Sequence, residues 1–192
     1  MAYSGHGNRI LVGFVILICG MAACNGPQRS PTAATASVAK ARADLLQMPP
    51  ELSGRNPVEQ GLAYIDVVNE LQAESSNPEE RHFRVKTGSV FSARGWAFDD
   101  KRKTAPAVWL ELVSKSSGDR IFFPSRRTPS KELAEGFHYP WAGTANFTVV
   151  VEQANIPPGT YEATMFQADP DLLIKTPFYS VKRITITVER PD

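Results

Sequence analysis

The chain reads as an all-β protein, an antiparallel sandwich of about seven strands preceded by a flexible tether. Three observations predict this. From about residue 58 onward, apolar residues recur mostly at every second position, the period of a strand with one buried face. The periodic runs are short and separated by turn chemistry, and no long amphipathic helix interrupts them. Tyr161 opens a strand two residues after a Pro-Gly turn. That is the place of the tyrosine corner in immunoglobulin-like sandwiches, where the phenol bonds backbone a few residues upstream, so the sandwich is expected to be Ig-like.

Taken in order, Ala63 to Val68 (AYIDVV) is the first strand, although its spacing also fits a helical turn. Asn69 to Glu80 is polar and loop-like. Val90 to Phe98 is a long β-prone segment, with Gly95 beside the bulky Trp96. A glycine there marks a bulge or a close approach between strands. Ala107 to Val113 alternates, with Val108, Leu110 and Leu112 on one face and Ala107, Trp109 and Glu111 on the other. The turn residues Ser116 to Asp119 lead to a strand at Arg120 to Phe123, and Ser130 to Glu135 fits one helical turn. Phe147, Val149 and Val151 form the next buried face, followed by the Pro157-Pro158-Gly159 turn. Tyr161, Ala163 and Met165, then Ile184, Ile186 and Val188, complete the pattern.

Residues 94 to 167 carry a family resemblance. Arg94-Gly95-Trp96-Ala97-Phe98-Asp99, the strand Ala107 to Leu112, and Arg126-Arg127-Thr128-Pro129-Ser130 resemble a bacterial Ig-like accessory module with a G-W-A-x-D segment. The likeness continues through Glu132 to Phe137, the Phe147 strand and the Pro158-Gly159-Thr160-Tyr161 corner. It implies an extracytoplasmic Ig-like domain of the kind appended to proteins that handle envelope polysaccharide, with no catalytic residues of its own.

The N-terminus has the layout of an export signal. Met1 to Arg9 is polar with one positive charge, and Ile10 to Ile18 is uncharged and apolar. That run is shorter than the roughly 20 residues needed to span a bilayer. Met21-Ala22-Ala23-Cys24 then resembles the bacterial lipobox. The resemblance implies cleavage before Cys24 and lipidation of its thiol, giving residues 1–23 as signal peptide. The other reading is an ordinary signal peptide in which Cys24 is incidental. Residues 24–57, rich in Ala, Ser, Thr and Pro, form the expected tether, and 58–192 the domain. The acyl chains are the expected membrane partner, at about 0.8 kcal/mol per buried CH₂. Asn25 follows Cys24, not the Asp that retains enteric lipoproteins at the inner membrane. By that analogy the destination is the outer membrane, facing the periplasm, with the inner membrane as alternative.

Several chemistries are excluded or disfavoured. Lys+Arg and Asp+Glu number 21 and 20, for a net charge of +1, which argues against a nucleic-acid partner. Cys19 lies in the signal and Cys24 is consumed, leaving no pair for a disulfide. Ser37-Val38-Ala39-Lys40 and Lys86-Thr87-Gly88 echo penicillin-interacting motifs, but the serine sits in the tether and no S-D-N lies between them. His82 and His138 lack the setting of a catalytic dyad or zinc site, and no cofactor motif occurs. Asp99-Asp100 and Asp169-Pro170-Asp171 fit turns better than a Ca²⁺ site.

The expected function is therefore a non-catalytic binding or assembly module contacting an envelope protein or polysaccharide. Phe137-His138-Tyr139-Pro140-Trp141 is its foremost candidate surface, since aromatic faces stack on sugars and on protein partners. The same rings could instead close the end of the sandwich. Trp109 is a second candidate if its face is solvated, and a core residue if a loop folds over it. Arg126 and Arg127 are candidates for an anionic glycan or headgroup, against the alternative of a solvated loop. An alternative function is a carbohydrate-binding lipoprotein acting through Tyr139 and Trp141, with Trp109 as a further contact; another is an enzyme of unfamiliar type.

Overall fold

The computed structural model describes residues 44–190 apart from 75–77, 87, 89, 100–104, 106 and 153. The described residues all belong to one compact unit. The signal peptide, Cys24 and most of the tether lie outside them, as do Ser37-Val38-Ala39-Lys40 and Asp100.

The seven expected strands are present as β2 (Leu62–Val68), β5 (Val90–Phe98), β6 (Ala107–Ser114), β7 (Arg120–Pro124), β9 (Asn146–Glu152), β10 (Gly159–Ala168) and β12 (Arg183–Glu189). Five shorter or more polar strands join them: β1 (Val58–Glu59), β3 (Leu71–Gln72), β4 (Glu80–Lys86), β8 (Arg126–Arg127) and β11 (Leu173–Thr176). One sheet runs β3-β2-β5-β9-β8. In the other, β7, β6 and β10 are antiparallel neighbours; the far edge of β10 takes β12 along Gly159–Glu162 and β11 along Met165–Ala168. Most pairings are antiparallel, but β4 joins β12 and β1 joins β11 in parallel. β4 escaped the sequence reading because only Phe83 and Val85 are buried among its charged neighbours.

The inner faces meet in one large cluster that includes Phe83, Phe91, Leu110, Phe123, Phe147, Met165 and Ile186. Phe91 and Phe123 stack across the sheets at 4.6 Å between centroids. The expected corner is there: the Tyr161 hydroxyl donates to the Pro157 carbonyl at 2.7 Å. In the turn before it, Gly159 is nearly extended at φ 159°, and Asn155 takes the left-handed conformation at φ 43°. Two residues after the corner tyrosine, where antibody domains place a disulfide cysteine, stands buried Ala163. Gly95 is a close approach and a bulge together. A Cβ there would collide with the Tyr64 carbonyl oxygen, and the β2–β5 register slips between Ile65 and Val67 opposite it.

The end of the segment read as tether is folded onto the domain. Leu52 packs on Phe122, Phe166, Ala168 and Leu173, covering the outer face of the second sheet. Arg55 donates to the Asp169 carbonyl at 2.8 Å, and β1 adds to the sheet edge. The ordered domain therefore begins before residue 58. Composition hid this because few large apolar residues make the contact, Leu52 and Leu45 among them.

Candidate functional site

The outer face of the first sheet carries Tyr64 on β2 and Trp96 and Phe98 on β5, placed there because Ala63, Ile65, Ala93 and Ala97 turn inward. Tyr64 lies opposite Trp96 in the register. The next segment of the site is a short helix, α1 (Lys131–Phe137), capped by Ser130, whose hydroxyl accepts the Leu133 amide at 3.2 Å. His138 takes a left-handed conformation at φ 57° and ends α1; a 3₁₀ turn (Pro140–Thr144) follows. The stretch from Phe137 to Trp141 is thus a helix end joined to a tight turn, which presses Phe137 and Trp141 onto the sheet.

Seven rings meet as a result: Tyr64, Trp96, Phe98, Phe137, Tyr139, Trp141 and Tyr179. Trp96 stacks on Phe98 at 5.3 Å and on Tyr64 at 5.8 Å, and meets Phe137 edge-on at 5.2 Å. Phe98 meets Trp141 edge-on at 5.1 Å, and Trp141 stacks on Tyr139 at 5.8 Å. Tyr179 is brought in by its own amide, which donates to the Ala63 carbonyl at 2.7 Å. Exposure rises outward along the row, from 8% at Trp96 to 43% at Tyr139 and 51% at Tyr179. One end is charged: the Arg81 guanidinium lies 4.2 Å over the Tyr64 ring. Beside it, desolvation raises the Asp66 carboxyl above its ordinary pKa, against the opposing pull of Arg81 and Arg94.

The sequence-based candidates divide clearly. Phe137, Tyr139 and Trp141 come together, and Trp96, read only as structural, joins them. Trp109 does not: the loop bearing Leu52 covers its face, and its indole Nε1 is buried without a hydrogen-bond partner. Arg127 does not either. Its guanidinium sits between the sheets, donating to the carbonyls of Ala97, Ala105 and Ala145 and to Gln167 Oε1 at 2.9 Å. Burial lowers its pKa to about 10. Arg126 is exposed on β8, at the far edge of the same sheet. Tyr64, Phe98 and Tyr179 were missed. The first two were readable as the outward positions of their strands, whereas Tyr179 has no signal in the sequence.

His82 Nε2 is 2.8 Å from the Thr187 hydroxyl on β12, while His138 is spent on the end of α1. Asp169 and Leu172 close a turn by mutual backbone hydrogen bonds. Among the described residues no three His, Cys, Asp or Glu side chains gather as a metal site, and no helix is long and apolar enough to cross a membrane. No protein-family model, curated protein or solved structure gives a significant match to the chain.

The two ends of the sandwich differ. Leu45, Leu46 and Met48 border a cleft of about 580 Å³ with the β6–β7 and β9–β10 turns. The aromatic row lies at the opposite end, where Phe98 finishes β5 and Asn146 begins β9.

Proposed function

We propose that the chain is a lipid-anchored, non-catalytic binding module of the bacterial envelope that engages its partner through the aromatic face of the first sheet. The observation that carries this is the continuous row of seven rings, graded from buried to exposed. A row needed only to close the sandwich would not leave Tyr139 and Tyr179 about half exposed. The lipobox at Met21 to Cys24 supports the anchor, with the outer membrane facing the periplasm as destination. The described domain begins at the end away from the rings, which suits a module that holds its contact face clear of an anchoring surface.

Polysaccharide is the partner favoured by one detail. Tyr139 and Trp141 are nearly parallel, at 24° between planes, and form an open step on which sugar rings can stack. The charged groups Arg81 and Asp66 at the other end suit hydroxyls or an acidic sugar.

Two measurements test the proposal. Intact mass and detergent partitioning of wild type beside Cys24→Ser read the anchor; an acylated species starting at Cys24, lost in the variant, is expected. A glycan array of envelope polysaccharides reads the face, and Trp141→Ala is expected to weaken binding about fivefold or more, for a stacking contribution of about 1 kcal/mol or more. Binding unchanged by Trp141→Ala removes the carbohydrate reading. Turnover of an envelope substrate by the purified protein removes the non-catalytic one.

A further inference from the structure

Strand β9 is paired with β5 along its whole length, but β8 meets its other edge only at Phe147 and Thr148. On that edge the Thr128 amide donates to the Asn146 carbonyl at 3.2 Å. By the period of two, the backbone groups of Thr148, Val150 and Glu152 point the same way. Beyond Thr148 no described strand takes up those of Val150 and Glu152. An Ig sandwich places a full strand D here beside strand E, and among the described residues only the two of β8 stand in that place. A groove of about 610 Å³ runs along the gap, bordered by Pro124, Ser125, Arg126 and Glu152. Val150 projects from it 60% exposed, an apolar side chain on an open strand edge.

We propose that this edge is a self-association surface, where β9 of a second copy of the chain pairs antiparallel about a two-fold axis at Val151. This register sets Val150 against the partner's Glu152 and Glu152 against the partner's Val150. Those are the residues whose amides and carbonyls face the gap, so both pairs are of the hydrogen-bonded type. A register centred on Val150 would instead oppose Glu152 to Thr148, a place already held by Arg126. Charge supports the choice. Arg126 and the partner's Glu152 fall two positions apart on one strand line and one face, within reach of an ion pair that the symmetry repeats. Neither Arg126 nor Glu152 makes an ion pair within the chain among the described residues. The partner is a second copy because the complementary charge and register are on the strand itself. The contact is separate from the aromatic face and does not depend on its ligand.

The test is disulfide trapping in the full-length protein. Val151→Cys places two thiols directly opposite across the axis, at about 4.5 Å between Cα atoms, within disulfide range. A cross-linked dimer is expected above the level of the chain without an added cysteine, and none from Val90→Cys, one strand inward on β5. Adding Arg126→Glu or Glu152→Arg alone lowers the yield about fivefold or more, and adding both restores it. If Val151→Cys does not accumulate, Val150→Cys co-expressed with Glu152→Cys reads the same register from the exposed face. No cross-link above background from either design, or a yield indifferent to the charge reversals, overturns the proposal.

Discussion

Replacing Arg127 tests the account of how the two sheets are fastened together. Its guanidinium donates to the carbonyls of Ala97 and Ala145 beside the first sheet, to that of Ala105, and to Gln167 on β10 of the second. Gln167 is fully buried and passes the network on to Thr176 Oγ1 at 3.0 Å. Arg127→Ala takes the donor from the Ala97 and Ala105 carbonyls and from Gln167 Oε1, whereas the Ala145 carbonyl keeps the Ala97 amide, and each buried orphan costs about 1–3 kcal/mol. Relief of the desolvated cation and entry of water offset part of that total. The net loss is roughly 3 kcal/mol, which lowers Tm by about 6–12 °C for a domain of this size. Arg127→Met separates the two contributions: it restores apolar volume and removes the buried charge but leaves the carbonyls bare, so it stays well below wild type. Urea and thermal unfolding of the full chain measure all of this. A change within about 0.5 kcal/mol for Arg127→Ala, or a stabilised Arg127→Met, refutes the acceptor argument. The pH dependence has a definite sign. Burial lowers Arg127 from its ordinary value to about 10, so the unfolded chain keeps the proton longer than the folded one. Stability from this group therefore rises as the pH climbs through 10, while the deficit of Arg127→Ala is flat from about pH 6 to 8.

Two further substitutions probe the corner and the bulge. Tyr161→Phe removes the hydroxyl that donates to Pro157 and keeps the ring in the core, so it costs about 1 kcal/mol in urea unfolding and leaves ligand binding unchanged. A neutral result means the hydroxyl hydrogen bond adds nothing to stability. Gly95→Ala forces a methyl group against the Tyr64 carbonyl, which lies on backbone and cannot swing aside. It costs about 3 kcal/mol or more and disturbs the Tyr64–Trp96 stack, read as a change in near-UV circular dichroism. A soluble variant with wild-type stability and spectrum shows that the strands are not held so close.

The sandwich was legible because its main strands follow a clean period of two and its corner has a fixed chemistry. β9 alternates buried and outward residues, β6 and β12 do so except at Glu111 and Thr185, which are also buried, and Tyr161 makes the hydrogen bond its position demands. The strands that escaped are those whose pattern depends on partners. β4 alternates two apolar residues with charges, and its ion pairs run to β12: Arg84 to Glu189 at 3.1 Å, and Glu80 to Arg183. The site was half legible. A cluster of rings at Phe137 to Trp141 is visible in any reading, but that it closes over Trp96 and Phe98 depends on the turn of α1. Arg127 shows the limit most clearly. Arg126-Arg127 reads as one basic pair, yet the pleat sends one residue to solvent and the next between the sheets.

The two outer faces of the sandwich argue for where binding happens. Both carry large rings: Trp109, Phe122 and Phe166 on the second sheet, and Tyr64, Trp96 and Phe98 on the first. The second sheet receives its cover from the chain itself, because Leu52 and the segment around it are folded down upon those rings. Among the described residues the first receives Phe137 and Trp141, and its row runs on to exposed Tyr139 and Tyr179. The uncovered face is therefore the one available to a partner. In the proposed dimer, the two-fold axis stands perpendicular to the joined sheets, so both aromatic faces look the same way. Trp96 lies opposite Asn146, five residues along β9 from Val151. At about 3.4 Å per residue, the two rows are then about 35 Å apart along the strands. A polymer long enough to bridge them gains avidity of about 10²–10⁴ over a short oligosaccharide that fills one row. Length dependence that disappears with Glu152→Arg while short-ligand affinity stays unchanged separates bivalence from the chemistry of the rings.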